Sequence, residues 1–126
     1  MPSREIPRDQ WRTFFDSFSK DHEGWITTVE LVGEDIPGDQ IEALELPLVG
    51  ISCDAKGSEA DSIEVTIASD PSDEFTHIVH DAARVQFDPN YSGGREALEI
   101  ESSEGDKTIL TFRAASDATR TRHAGG

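Results

Sequence analysis

The amino-acid sequence predicts a mainly β protein of the α+β class, in which one N-terminal amphipathic helix precedes about seven short antiparallel strands. Apolar residues first recur at helical spacing and then alternate with polar residues, with turn residues about every 8–12 positions. No helical segment separates the later strands, which argues against parallel βαβ units. We therefore expect a small barrel or folded sandwich with the helix on one open end.

The helix is predicted over residues 8–21. One face of it carries the aromatic residues Trp11, Phe14, Phe15 and Phe18. Their i, i+3, i+4, i+7 spacing is typical of a helix that packs against its own core, and docking of a partner is the alternative. Pro7 suits the first turn, and Gly24 is a stop signal.

Alternating and β-branched patterns predict the strands, of which the second is weak: 25–32, 41–46, 48–53, 62–68, 75–80, 84–87, 96–101 and 107–112. Pro47 is expected to interrupt the ladder or to mark an edge. Turns are predicted within 34–40, where Pro37-Gly38 is the signal, at 70–73 and at 103–106, where Gly105 supplies a positive φ. Loops are predicted at 54–61 and 88–94.

The chain has 126 residues and a formal net charge of −15. Residues 1–22 are neutral, residues 118–126 carry +2, and the body 23–117 carries −17. The length favours one domain, and we place it at 1–114. Residues 115–126 lack apolar periodicity and are expected to form a mobile tail.

The acidity excludes a general nucleic-acid binder, because phosphate neutralisation requires clustered Lys and Arg. It also argues against docking on anionic membranes. Acid-rich surfaces poor in lysine suit a cytoplasm at high salt, which predicts a halophilic adaptation. No apolar stretch approaches the roughly 18 residues of a membrane helix, and no signal peptide is visible, so a cytoplasmic location is expected.

Candidate catalytic and metal-binding residues are few. His77 and His80 fall in a predicted strand, where odd spacing sends them to opposite faces, so a shared metal site is not expected. The pair His80-Asp81 lacks a G-x-S-x-G nucleophile elbow, so no catalytic residue is assigned. The single cysteine, Cys53, excludes an internal disulfide and is expected to be a buried structural thiol.

Two acidic segments offer oxygen ligands. The loop 54–61 lacks the spacing of an EF-hand, and Asp70, Asp73 and Glu74 form a second cluster. We expect weak, screened cation association at both segments. No cofactor and no specific metal site are predicted.

Four sequence segments resemble a family of small uncharacterised bacterial proteins, a domain of unknown function. They are R-E-I-P-R-x-x-W-x-x-F-F-D-x-F-S (4–19), H-E-G-W (22–25), E-L-P-L-x-G-I-S (45–52) and A-L-E-I-E-S-x-x-G-x-K-T-x-L-x-F-R (97–113). The resemblance spans about residues 4–113. It implies one compact domain and brings no catalytic residue, cofactor or substrate.

The absence of a catalytic constellation favours a non-enzymatic interaction or accessory module. Such a module binds another protein through strand edges, or through the rim near Trp25 and the helix. The interaction candidates are Trp25, His77, His80 and Asp81. The alternative is a small-molecule binder or minor enzyme with a concave site of roughly 300 Å³ or more at a barrel mouth. The oligomeric state stays open, because an uncovered edge strand also permits a dimer.

Overall fold

The computed structural model describes residues 4–33, 36–54 and 62–114. Its one α-helix, α1, is Trp11–Asp21, preceded by a 3₁₀ turn at Arg8–Gln10. The strands are β1 (Arg4–Ile6), β2 (Ile26–Gly33), β3 (Ile36–Asp54), β4 (Ser62–Ile67), β5 (Phe75–Val79), β6 (Ala82–Ser92), β7 (Arg95–Ser102) and β8 (Lys107–Arg113). The predicted mainly β class with one amphipathic helix near the N-terminal end is confirmed, but the short strand β1 precedes that helix.

All eight described strands form one antiparallel sheet in the order β1-β6-β7-β8-β2-β3-β4-β5. The order leaves β1 and β5 at opposite edges, so the described strands do not close into a barrel, and that alternative was wrong. The sheet instead folds back on itself. His77 Nε2 on β5 lies 3.3 Å from Thr108 Oγ1 on β8, although three strands separate β5 from β8 in the sheet order.

The long strand β3 connects the two parts of this folded sheet. Its residues up to Pro47 pair with β2, and those from Leu48 onward pair with β4. The expected interruption at Pro47 is therefore a change of partner within a continuous strand. A register shift between Leu48 and Gly50 and a positive φ of 52° at Glu45 accompany the change.

Two of the predicted connections differ from the structure. Gly33 pairs with Ile36, so the chain has already reversed before the turn signal Pro37-Gly38, which lies within β3 at a register shift. The loop predicted at 88–94 is mostly strand, since β6 continues to Ser92 and turns at Gly93-Gly94, where φ is 54° and 82°. Two consecutive positive φ values suit a two-residue hairpin, so no longer loop is needed.

Of the remaining features, one turn is confirmed, one strand was not predicted, and two segments lie outside the described residues. Gly105 has a φ of 95° in the turn between β7 and β8, as predicted. The strand β1 was missed, since three residues show no periodicity, yet Arg4 pairs with Phe87 and Ile6 with Val85. The tail 115–126 and most of the acidic loop 54–61 lie outside the described residues.

The aromatic stripe of α1 faces the core. Trp11, Phe15 and Phe18 are buried, and Phe14 packs against the same cluster, so the predicted core-facing helix is confirmed. The Cys53 thiol is also buried, as expected. No helix in 4–33, 36–54 or 62–114 is long and apolar enough to cross a membrane.

Polar contacts fix the position of α1. Ile51 N–H donates to Ser19 Oγ at 2.8 Å, and the Ser19 hydroxyl donates to Ile51 O at 3.0 Å. The Trp11 indole Nε1–H donates to Ile6 O at 2.9 Å, which ties β1 to the helix. Gly24 and Trp25 exchange backbone hydrogen bonds with Leu48, so the segment after α1 continues along the same edge of β3.

Candidate interaction site

A groove of about 260 Å³ runs between the edge strand β5 and the hairpin of β7 and β8. From β5 it is lined by three consecutive residues, His77, Ile78 and Val79. Successive side chains of a strand point to opposite faces, so three in a row indicate that the strand edge borders the groove. No described strand pairs with this edge of β5.

The floor of the groove is partly apolar. Leu31 of β2 and the buried Val79 contribute to it, together with Thr108. Ile78, 41% exposed, stands at the rim. The groove therefore offers an apolar surface beside the edge of β5 with which no described strand pairs.

A tight turn at one end of the groove joins β5 to β6. Asp81 occupies its left-handed position with a φ of 56°, which aspartate tolerates better than most residues. The Asp81 carbonyl accepts a 2.8 Å hydrogen bond from Ser103 N–H in the β7–β8 turn. This bond holds the two turns together, so the end of the groove is fixed by backbone.

The groove is negatively charged. Asp81, Glu104 and Asp106 line it, and their carboxylates form no ion pair with any described residue. The one groove cation apart from the histidines, Lys107, places Nζ 3.2 Å from Glu99 Oε2. The acidic end of the groove is therefore left without an internal counter-charge among the residues described.

The structure brings three of the four predicted interaction candidates together. His77, His80 and Asp81 all line the groove, although His77 and His80 were expected on opposite faces of one strand. β5 ends at Val79, so His80 lies in the following turn and the argument from alternating strand faces does not apply to it. Within the described ranges, no group of three or more metal-ligating side chains converges.

The fourth candidate, Trp25, lies elsewhere. It is half-buried, packs against the core, and meets the His22 ring edge-on with centroids 4.4 Å apart. Its surroundings revealed a contact that the sequence did not indicate. His22 Nε2 lies 2.7 Å from Glu96 Oε1, and its Nδ1 lies 2.9 Å from Phe18 O.

The His22–Glu96 pair connects the end of α1 to β7. Carbonyl and carboxylate oxygens are both acceptors, so both hydrogen bonds form only when the ring carries two protons or Glu96 carries one. The His22 and Glu96 side chains are only 12% and 22% exposed. Seventy-four residues separate the partners in sequence, which is why no local pattern could reveal them.

Glu96→Ala is expected to lower the free energy of unfolding by about 1–2 kcal/mol, because His22 loses a partly buried acceptor. The control is Glu99→Ala on the same strand, whose partner Lys107 is more exposed, with an expected loss of about 0–1 kcal/mol. Urea denaturation measures both. Equal losses would contradict a specific role for the His22–Glu96 contact.

The acidic cluster at 70–74 is organised by its own turn. Asp70 caps a 3₁₀ turn at Pro71–Asp73, and the Asp73 carboxylate accepts from the amides of Ser69 and Asp70 at 3.0 and 2.9 Å. Hydrogen bonds from the Ser69 hydroxyl and then the Asp70 amide lower the pKa of Asp73 below its ordinary 3.8. These carboxylates serve local capping, and cation association there stays a prediction.

The lowered pKa of Asp73 gives a pH prediction. A carboxyl group whose pKa is lower in the folded state than in the unfolded state stabilises the fold at pH values above its unfolded-state pKa. This contribution disappears as the pH falls through the folded-state pKa. Asp73→Asn is therefore expected to destabilise the protein near neutral pH but not at a pH well below 3.8. Urea midpoints across pH test this, and a difference independent of pH contradicts it.

A second concave region lies between α1 and β3. It has a volume of about 480 Å³ and is lined by Arg12, Thr13, Asp16, Ile51, Ser52 and Cys53. It is the larger of the two spaces, but it opens widely to solvent beside the exposed face of the helix.

The fold and the groove define a folded antiparallel sheet with one helix packed on it, in which β5, an edge of the described strand order, lies beside a recess. The chain belongs to the family of unknown function DUF5335, whose model matches residues 2–121, and the predicted membership of such a family is confirmed. The chain is 28% identical over 115 residues to an uncharacterized protein of Aquifex aeolicus (strain VF5), covering 91% of this chain and 96% of that protein. No solved structure matches the chain.

Proposed function

We propose that this protein is a non-enzymatic interaction module that binds an extended segment of another protein along the free edge of β5. The observation that carries the proposal is the position of this edge beside the groove. An added strand forms backbone hydrogen bonds along such an edge, and a neighbouring recess accepts alternate side chains.

The two edges of the sheet differ in what they offer. β1 has three residues, and Arg4 at its start lies over the rings of Phe14 and Phe87, so this edge is short and flanked by charge. β5 has five residues and exposes Ile78. Short and charged edges are the usual protection against unwanted pairing, which makes β5 the better edge for a partner.

Site-specific photocrosslinking tests this proposal. A photoreactive amino acid at position 78 is expected to capture a discrete partner in native extract at native salt, and excess unmodified protein is expected to suppress the adduct. The control position is Val49, an aliphatic residue of β3 that is 49% exposed and does not line the groove. Adducts of equal yield at both positions, or none at position 78, would overturn the proposal.

A second candidate function is small-molecule binding between α1 and β3. The volume of about 480 Å³ there exceeds the roughly 300 Å³ at which ligand sites begin. The site predicted at a barrel mouth has no counterpart in the described residues, because the sheet is not closed. A thermal-shift screen that stabilises the wild type but not Arg12→Ala would favour this candidate.

We also propose that the protein works in cytoplasm at high salt. The support is the net charge of −17 on residues 23–117, whose self-repulsion salt screens. The free energy of unfolding is expected to rise between low and molar potassium chloride. A stability that stays constant or falls over this range contradicts the proposal.

A further inference from the structure

We infer that the segment bound along β5 is basic, with Lys or Arg residues placed beside an apolar residue. This inference rests on the proposed function and adds the chemistry of the partner. It follows from three properties of the groove: a strand edge with which no described strand pairs, an apolar floor, and carboxylates without an ion-pair partner among the described residues.

The floor selects an apolar side chain. Leu31 and Val79 lie in the groove and Ile78 stands at its rim, so an inward-pointing aliphatic residue of the added strand loses contact with water there. The cavity of about 260 Å³ limits this occupant to one or two side chains. Backbone pairing with β5 then places the neighbouring residues of the segment beside the two turns.

The turns select positive charge. Asp81, Glu104 and Asp106 lie at the groove with no internal cation to neutralise them among the described residues, while Lys107 is held by Glu99. The hydrogen bond from Ser103 N–H to the Asp81 carbonyl keeps the two turns together. A Lys or Arg of the bound segment therefore meets carboxylates on turns that already hold each other in position. The two turns lose little conformational freedom when the segment binds.

The same charges disfavour other occupants. A second copy of this chain paired through β5 would bring the three carboxylates of each copy into one interface, where like charges oppose association. Acidic segments are repelled in the same way. An extended basic segment is therefore the occupant whose binding is favoured by backbone pairing, by the apolar floor and by the charge of the groove.

Selection from a displayed library of random nonapeptides, with the full chain as bait in parallel at about 150 mM and at about 1 M potassium chloride, tests the inference. Enriched peptides are expected to contain Lys or Arg on either side of an aliphatic residue. Backbone amide shifts of β5 and of the 80–81 and 102–107 turns are expected to report binding. The oligomeric state of the bait is measured by light scattering in the same buffer.

Charge-neutralised variants separate the groove from the general acidity. Asp81→Asn/Glu104→Gln/Asp106→Asn is expected to weaken binding of a selected peptide about tenfold or more, from three lost ionic contacts. The matched control, Glu5→Gln/Asp9→Asn/Glu23→Gln, changes three exposed carboxylates elsewhere and is expected to change affinity less than about twofold. Unchanged thermal unfolding curves establish that each variant is folded.

The outcomes distinguish the two levels of the proposal. Peptides that bind at β5 without positive charge, or equal losses for the two triple variants, overturn the basic partner and leave the interaction module standing. A dimer formed through β5 also overturns the basic partner, since a second copy then fills the groove. Failure to select any peptide that shifts β5 resonances counts against both proposals.

Discussion

Phe18→Ala is expected to produce the largest loss of stability of any single change discussed, about 3–5 kcal/mol in the free energy of unfolding. Phe18 is only 4% exposed and stands where α1 meets the sheet. Its ring centroid lies 5.0 Å from that of Phe112 on β8, and 5.7 Å from that of Phe87 on β6. The His22 ring stacks on it at 3.8 Å. Alanine leaves a cavity among rings that cannot all move inward.

The matched control is Phe14→Ala, one turn earlier on the same helix. Phe14 belongs to the same aromatic cluster but is only half-buried, so less apolar surface is exposed and water can enter the space left behind. The expected loss is about half that of Phe18→Ala. Guanidinium denaturation followed by tryptophan fluorescence measures both. A larger loss for Phe14→Ala than for Phe18→Ala would contradict the assignment of Phe18 to the centre of the aromatic cluster.

Ser19→Ala is expected to lower the free energy of unfolding by about 2–3 kcal/mol, although it removes one oxygen atom. Ile51 is 4% exposed, and its N–H and C=O both bond to Ser19 Oγ. In an antiparallel strand both groups of a residue point to the same edge, here away from β4. The substitution leaves a buried donor and a buried acceptor without their partner.

Ser17→Ala is the control for this substitution, because Ser17 lies exposed on the same helix and its change is expected to stay within about 0.5 kcal/mol. Amide hydrogen exchange gives a second, local measurement. The amide of Ile51 is expected to exchange faster in Ser19→Ala and unchanged in Ser17→Ala. Unaltered protection of Ile51 in Ser19→Ala would contradict the role assigned to the hydroxyl.

Patterns within about a dozen neighbouring residues predicted the elements that depend on burial of one face. The aromatic stripe of α1 and the alternation over Ser62–Ile67 are examples, since both repeat a period long enough to recognise. The three residues of β1 are too few to show a period. Pro37-Gly38 carried a turn signal, yet the pair lies within β3 at a register shift, between the pairing of Ile36 with Gly33 and that of Gln40 with Leu31.

The groove was only partly predictable, because segments that are far apart in the sequence form it together. His77, His80 and Asp81 were singled out from their residue types, but the groove needs Leu31 and the β7–β8 turn as well. These segments meet only because the sheet folds, and no local pattern shows that folding. The contacts of Ser19 with Ile51 and of His22 with Glu96 have the same origin, since the partners are 32 and 74 positions apart in the sequence.

The strand order also sets the sequence of events while the ribosome makes the chain. β1 is synthesised before the other strands, but it pairs with residues 85–87 of β6. One edge of β2 likewise has no strand to pair with until residues 107–113 of β8 have been made. Domains of this kind complete their long-range pairing only when the distant partner exists. The helix therefore spends most of synthesis without Phe87 and Phe112 over its rings. A nascent chain halted before β8 presents that aromatic face to the chaperones and proteases that survey unfinished proteins.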